Sequence, residues 1–172
     1  MKIWRAIVAL TAAIALTGMG GLAELRAETH TLASSGSWKA FGGTTTAGRG
    51  VCGISGSPGG RYFGLKFFKG DDTFVIQLQV PQVEKEAKVP LSVRFDANPL
   101  WTATATGFIF ADGDAGLEFP INASESDRFA YEFKNSSRML MRFDAGGYAT
   151  WTVGLEGTLA VSNAFTSCMR GL

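Results

Sequence analysis

The chain has 172 residues, with 16 basic against 15 acidic side chains, two cysteines and a single histidine. Its charges fall singly along the chain, so there is neither the clustered Lys/Arg footprint of a nucleic-acid binder nor a polybasic segment for anionic membranes. One imidazole leaves no two-His metal centre, and general-base chemistry at neutral pH would fall to carboxylates.

The first element is a leader. Lys2 and Arg5 precede the uncharged apolar run Ile7–Leu16, and small residues then offer cleavage after Ala23 or after Ala27. The run is shorter than the roughly 20 apolar residues of a membrane span. No Cys follows it for acylation and no Arg-Arg pair precedes it, which points to the general secretion route. Residues 1–27 are therefore expected to be a cleavable secretory signal. Residues 28–172 are expected to form one β-rich domain in the periplasm or outside the cell, with no membrane span. Removing Lys2, Arg5, Arg26 and Glu24 from the 16 basic and 15 acidic residues leaves 13 and 14.

Two-residue alternation dominates the chain beyond the leader. Phe63, Leu65 and Phe67 alternate with Tyr62, Lys66 and Phe68, and Phe74, Ile76, Leu78 and Val80 with Val75, Gln77 and Gln79. The same period runs through Leu91–Phe95, Trp101–Ala105, Met139–Phe143 and Trp151–Leu155, the pattern of half-buried antiparallel strands. Turn chemistry separates them at Lys69-Gly70-Asp71-Asp72, Asp96-Ala97-Asn98-Pro99 and Asp144-Ala145-Gly146-Gly147. Trp38, Trp101 and Trp151 sit in such runs beside small residues and read as core. Short helices are expected over Arg128–Ser136, capped by Ser124 or Ser126, and over Thr158–Met169. The expected fold is mainly β, an antiparallel sandwich-like domain of two packed sheets with one or two short helices.

Cys52 and Cys168 are an isolated pair in an exported chain, which reads as a disulfide closing most of the domain. They lack the CxxC spacing of a redox or metal pair.

Few residues carry chemistry. His30 precedes the first expected strand, close to the cleavage point, where a chain end is a poor platform for a catalytic site. Gly53–Gly60 lacks the GxSxG spacing of a nucleophile elbow and reads as a loop. Asp112-Gly113-Asp114 could offer oxygens to Ca²⁺, but the further ligands that a calcium loop needs are missing, and a polar turn accounts for both carboxylates. The sequence implies no cofactor. The best binding surface is the second face of the strand around residue 65, where Tyr62, Lys66 and Phe68 form an aromatic and cationic stripe.

The order of features resembles the invasion-associated locus B family of small exported proteobacterial proteins. The likeness rests on Ser37-Trp38-Lys39, Val51-Cys52, a phenylalanine-bearing helix, strand Met139–Asp144, Thr150-Trp151-Thr152-Val153, Leu155-Glu156-Gly157 and Ala164-Phe165 with Cys168. It implies a periplasmic or surface β-sandwich-like domain without known catalytic residues, in some relatives linked to host-cell entry. A second cysteine pair that some relatives carry is absent here, and no site residue carries over. Function on these grounds is a non-enzymatic binding module for an envelope or host protein or a glycan. The alternatives are an envelope structural protein without a ligand, and a glycan-acting enzyme relying on carboxylates alone.

Overall fold

The computed structural model describes residues 27–145 and 147–172; the leader, apart from Ala27, lies outside the described residues. There are ten strands: β1 Glu28–Ser35, β2 Trp38–Thr44, β3 Gly50–Gly56, β4 Phe63–Phe68, β5 Phe74–Gln79, β6 Lys88–Phe95, β7 Trp101–Ile109, β8 Ala115–Ile121, β9 Arg138–Phe143 and β10 Trp151–Gly154. Helix α1 spans Ala123–Asn135 and α2 spans Thr158–Arg170. All strand pairs are antiparallel, in the order β1-β2-β3-β4-β5-β8-β7-β6-β9-β10.

The alternating residues fall as their period requires. Phe74, Ile76, Leu78, Leu91, Val93, Phe95, Met139, Met141 and Val153 are all buried on one face, here called the inner face. The mainly β, antiparallel, single-domain architecture with two helices is the expected one. Its sandwich-like layering, however, comes from one continuous curled sheet rather than two separate sheets. A period of two specifies that one face is covered and is silent about what covers it. Here the helices do so.

Helix α1 places Phe129 and Phe133 on the inner face, four residues apart and stacked with ring centroids 6.1 Å apart. Phe133 meets Trp38 of β2 at 5.4 Å, and Phe129 meets Phe95 at 5.3 Å and Trp101 at 5.7 Å. The helix thus joins the two halves of the sheet through one aromatic cluster. Helix α2 adds Val161 and Phe165, and packs on β1, β2 and β3. The two ends of the sheet approach without pairing: the Trp38 indole Nε1–H donates to the Gly154 carbonyl at 3.2 Å, and the sheet stays open.

Three local expectations change. The first helix begins at Ala123 with Asn122 at its N-cap position, so Ser124 and Ser126 lie inside its first turn. There Ser126 Oγ donates to the Ala123 carbonyl instead of capping. His30 does not precede the strands: it lies in β1 opposite Gly42, exposed on a paired strand. Cys52 lies in β3, and Gly53–Gly56 continue that strand in place of the start of the loop expected over Gly53–Gly60. β1 escapes the alternation rule because most of its residues are exposed on both faces.

Candidate functional site

Cys52 and Cys168 are joined, with Cα atoms 5.9 Å apart across 116 residues of sequence. The bridge pins α2 to the inner face of β3. It also dictates its neighbour: a Cβ on Gly42 would lie 2.8 Å from Cys168 Sγ, so only glycine fits opposite Cys52.

The outer face of β2 to β8 is built by a different use of glycine. Phe41, Gly53 and Lys66 lie in line across β2, β3 and β4. A Cβ on Gly53 would lie 2.3 Å from Phe41 Cζ, so the phenyl ring lies over bare backbone toward Lys66. The same substitution of ring for side chain recurs twice. The Tyr62 ring occupies the place of a Cβ on Gly64, at 2.4 Å from its Oη, and Phe110 that of one on Gly116, at 2.4 Å from Cε2. Aromatics that cover glycines restore the apolar contact which the glycines lack; Phe41 comes from the neighbouring strand and Tyr62 from two residues earlier in its own chain segment. Tyr62 and Phe110 then meet edge to face at 5.3 Å.

The result is an aromatic platform with one half-buried cation in it. Lys66 sits among Phe41, Tyr62 and Phe68, and burial pulls its ammonium below the ordinary lysine range, with Glu118 acting in the opposite direction. Burial likewise raises the Tyr62 phenol. Two open cavities share Tyr62 and Lys66. One, of about 480 Å³, runs over Phe41, Val51, Ser55 and Phe68 to Lys39 and the threonines of β1. The other, of about 380 Å³, runs over Gln79 and Phe110 to Asp112 and Asp114.

All three residues of the expected stripe, Tyr62, Lys66 and Phe68, therefore line one cavity, and the two carboxylates of the candidate cation site line its neighbour. Those carboxylates are occupied. Asp112 Oδ1 accepts from the Asp114 backbone N–H at 3.2 Å, closing the turn. Asp114 accepts from Gln79 Nε2, and Gln79 Oε1 accepts from the Tyr62 backbone N–H at 3.2 Å. Asp114 thus anchors the strand end that carries Tyr62. Among the described residues no group of three or more His, Cys, Asp or Glu comes together as a metal site.

Phe41, Lys39 and Phe110 were not among the expected site residues. The signal for Phe41 and Phe110 was the outward-facing glycines 53 and 116, whose open backbone those rings cover.

Fold and site together define a disulfide-closed, mainly antiparallel β domain whose helices fill one face and whose other face carries a cationic aromatic platform. The sequence matches no protein-family profile and no curated protein. The fold is similar to that of invasion associated protein B from Bartonella henselae, a crystal structure, with a TM-score of 0.53 and 15% identity over 83% of this chain and 98% of that one. At that identity the likeness is one of fold.

Proposed function

We propose that this chain is an exported, non-enzymatic binding module whose ligand rests on the outer face at Phe41, Tyr62, Lys66 and Phe68. One observation carries this reading: a half-buried lysine stands among aromatic rings at the floor of open cavities, while both described helices pack on the opposite face. Desolvating an ammonium costs free energy, and a ligand that brings a carboxylate, phosphate or hydroxyl oxygen to Lys66 recovers it. The rings offer an apolar surface beside that charge, which suits a sugar ring or an aromatic or aliphatic side chain of an envelope or host protein.

Export fits the leader at residues 1–27 and the disulfide, and both support a periplasmic or extracellular placement. Fractionation with N-terminal sequencing of the processed chain tests this. The expected product starts after Ala23 or Ala27 in an extracytoplasmic fraction, and an unprocessed cytoplasmic chain refutes export.

For the site, wild type and a Phe41→Ala/Tyr62→Ala/Lys66→Gln variant are compared on a glycan array and against solubilised envelope proteins. Ligands kept by wild type and lost by the variant, with an unchanged circular dichroism spectrum, are expected. Equal retention by both removes the platform from the binding role.

A further inference from the structure

The outer face at the other end of the sheet holds a second feature, and it is electrostatic. Strands β6, β9 and β10 contain no Asp or Glu. Their outward positions include Lys88 and Arg94 on β6 and Arg138 and Arg142 on β9, all four exposed. Ladder register fixes their arrangement: Ser92 pairs with Arg142 and Arg94 with Leu140, so Arg94 falls between Arg138 and Arg142 on the neighbouring strand.

The three guanidinium groups enter no ion pair among the described residues. Two carboxylates border the row: Asp96, which lines a cavity with Arg94 and Arg138 and accepts from the backbone N–H groups of Ser137 at 2.8 Å and Arg138 at 3.2 Å, and the exposed Asp144 just past β9, whose backbone N–H donates to the Pro90 carbonyl. Like charges side by side on a sheet repel, and four cations against these two carboxylates leave the row net positive. Shallow cavities of about 240 and 180 Å³ lie along the row, both lined by Arg94 and Leu140.

The shape of the row is informative. At about 3.3 Å per residue, Lys88, Arg142, Arg94 and Arg138 succeed one another over about 26 Å along the strand direction, on two strands roughly 5 Å apart. That is a line of charge, which matches an extended polyanion lying along the strands better than a compact ion. Besides Asp96, the groups between the cations are Ser92, Asn98 and Thr152, with Leu100 and Leu140. They offer hydroxyl and amide hydrogen-bonding groups and no aromatic ring. Single-stranded nucleic acid binds by stacking bases on rings, so the absence of rings on these cavity walls disfavours it.

We propose that Arg94, Arg138 and Arg142, extended by Lys88, form a binding track for an acidic polysaccharide. Its carboxylate or sulfate groups pair with the guanidinium groups, and its hydroxyls bond Ser92, Asn98 and Thr152. Arginine suits this because its planar fork meets such oxyanions two bonds at a time. The track is separate from the Tyr62–Lys66 platform, since β5, β8 and β7 lie between β4 and β6 in the sheet order.

The test is binding of heparin, a linear acidic polysaccharide, to the processed full domain by calorimetry, with neutral dextran and an oligothymidylate as comparisons. The triple variant Arg94→Gln/Arg138→Gln/Arg142→Gln changes only exposed side chains, and circular dichroism verifies its fold. A Lys39→Gln/Lys66→Gln variant serves as the second arm. The track predicts heparin binding that weakens about tenfold or more between low and near-physiological salt. It also predicts at least a tenfold loss in the triple variant and less than twofold change in the lysine variant. Heparin binding by the triple variant equal to wild type, equal loss in the lysine variant, or no heparin binding by wild type overturns it. Oligothymidylate bound as tightly as heparin, or dextran bound equally, overturns the polysaccharide assignment.

Discussion

The indole Nε1–H of Trp101 donates to Glu132 Oε2 at 2.7 Å, tying the first residue of β7 to a carboxylate on α1 that is only 6% exposed. Arg128 completes the arrangement, donating through Nε to Glu132 Oε1 at 2.8 Å and lying 4.1 Å over the Trp101 ring. A buried carboxylate is tolerated because both oxygens are engaged, one by a cation. The helix is thereby keyed to one position on the sheet.

Glu132→Ala leaves the Trp101 N–H buried without an acceptor and is expected to cost about 2–3 kcal/mol. Glu132→Gln keeps an acceptor for the indole and should cost less. Urea unfolding followed by tryptophan fluorescence measures both, and equal costs would show that the charge rather than the hydrogen bond matters.

Removing the bridge by Cys52→Ala/Cys168→Ala frees a 116-residue separation in the unfolded chain. Chain entropy puts the loss at about 4–5 kcal/mol, an upper figure for measured bridges. Gly42→Ala should weaken the same region with the cysteines intact, because its methyl would meet Cys168 Sγ. Denaturation midpoints with and without reductant distinguish the two. The Gly42→Ala penalty should shrink once the disulfide is reduced and Sγ can move away.

Lys66 makes stability depend on pH in a stated direction. Its folded-state value is lowered by burial, so between that value and about 10.4 in the unfolded chain the unfolded state binds more protons. Stability contributed at this residue therefore rises with pH through that window, and below it the cost of the half-buried ammonium is fully present. Lys66→Met should be more stable than wild type at neutral pH, with the gap closing as pH approaches about 10. Urea midpoints at the two pH values check this, and a gap independent of pH would refute it.

The platform depends on its glycines. Gly53→Val places a side chain where the Phe41 ring lies, so the ring must leave the floor of the larger cavity. Ligand retention on the outer face should fall without loss of the disulfide. Mass spectrometry of the intact chain verifies the bridge, and binding compared with wild type reads the effect. Unchanged binding would mean that Phe41 contributes nothing to the surface.

Alternation made most of the inner face legible from Phe74 to Val153, because burial of one sheet face writes directly into every second residue. The Tyr62–Lys66–Phe68 stripe was legible for the same reason, from the other parity. β1 was not, since Glu28–Ser35 is exposed along most of its length and is held by its ladder to β2 and by α2. Phe41 and Phe110 were missed because a ring that covers a glycine on another strand leaves no mark within its own strand.

By itself the sequence determined strands β4, β5, β6, β7, β9 and β10, their buried parity, the pairing of the only two cysteines and the absence of any histidine pair. These follow from local period and composition. Tertiary structure decided that the strands form one sheet covered by its helices, and that Gly53 and Gly116 are roofed by rings from outside their own strands. It also decided where the charges go. Arg94, Arg138 and Arg142 look scattered along the chain, and only the pairing of β6 with β9 sets them side by side. Register between strands is a long-range property, fixed by what packs beneath the sheet, and no local pattern of residues contains it.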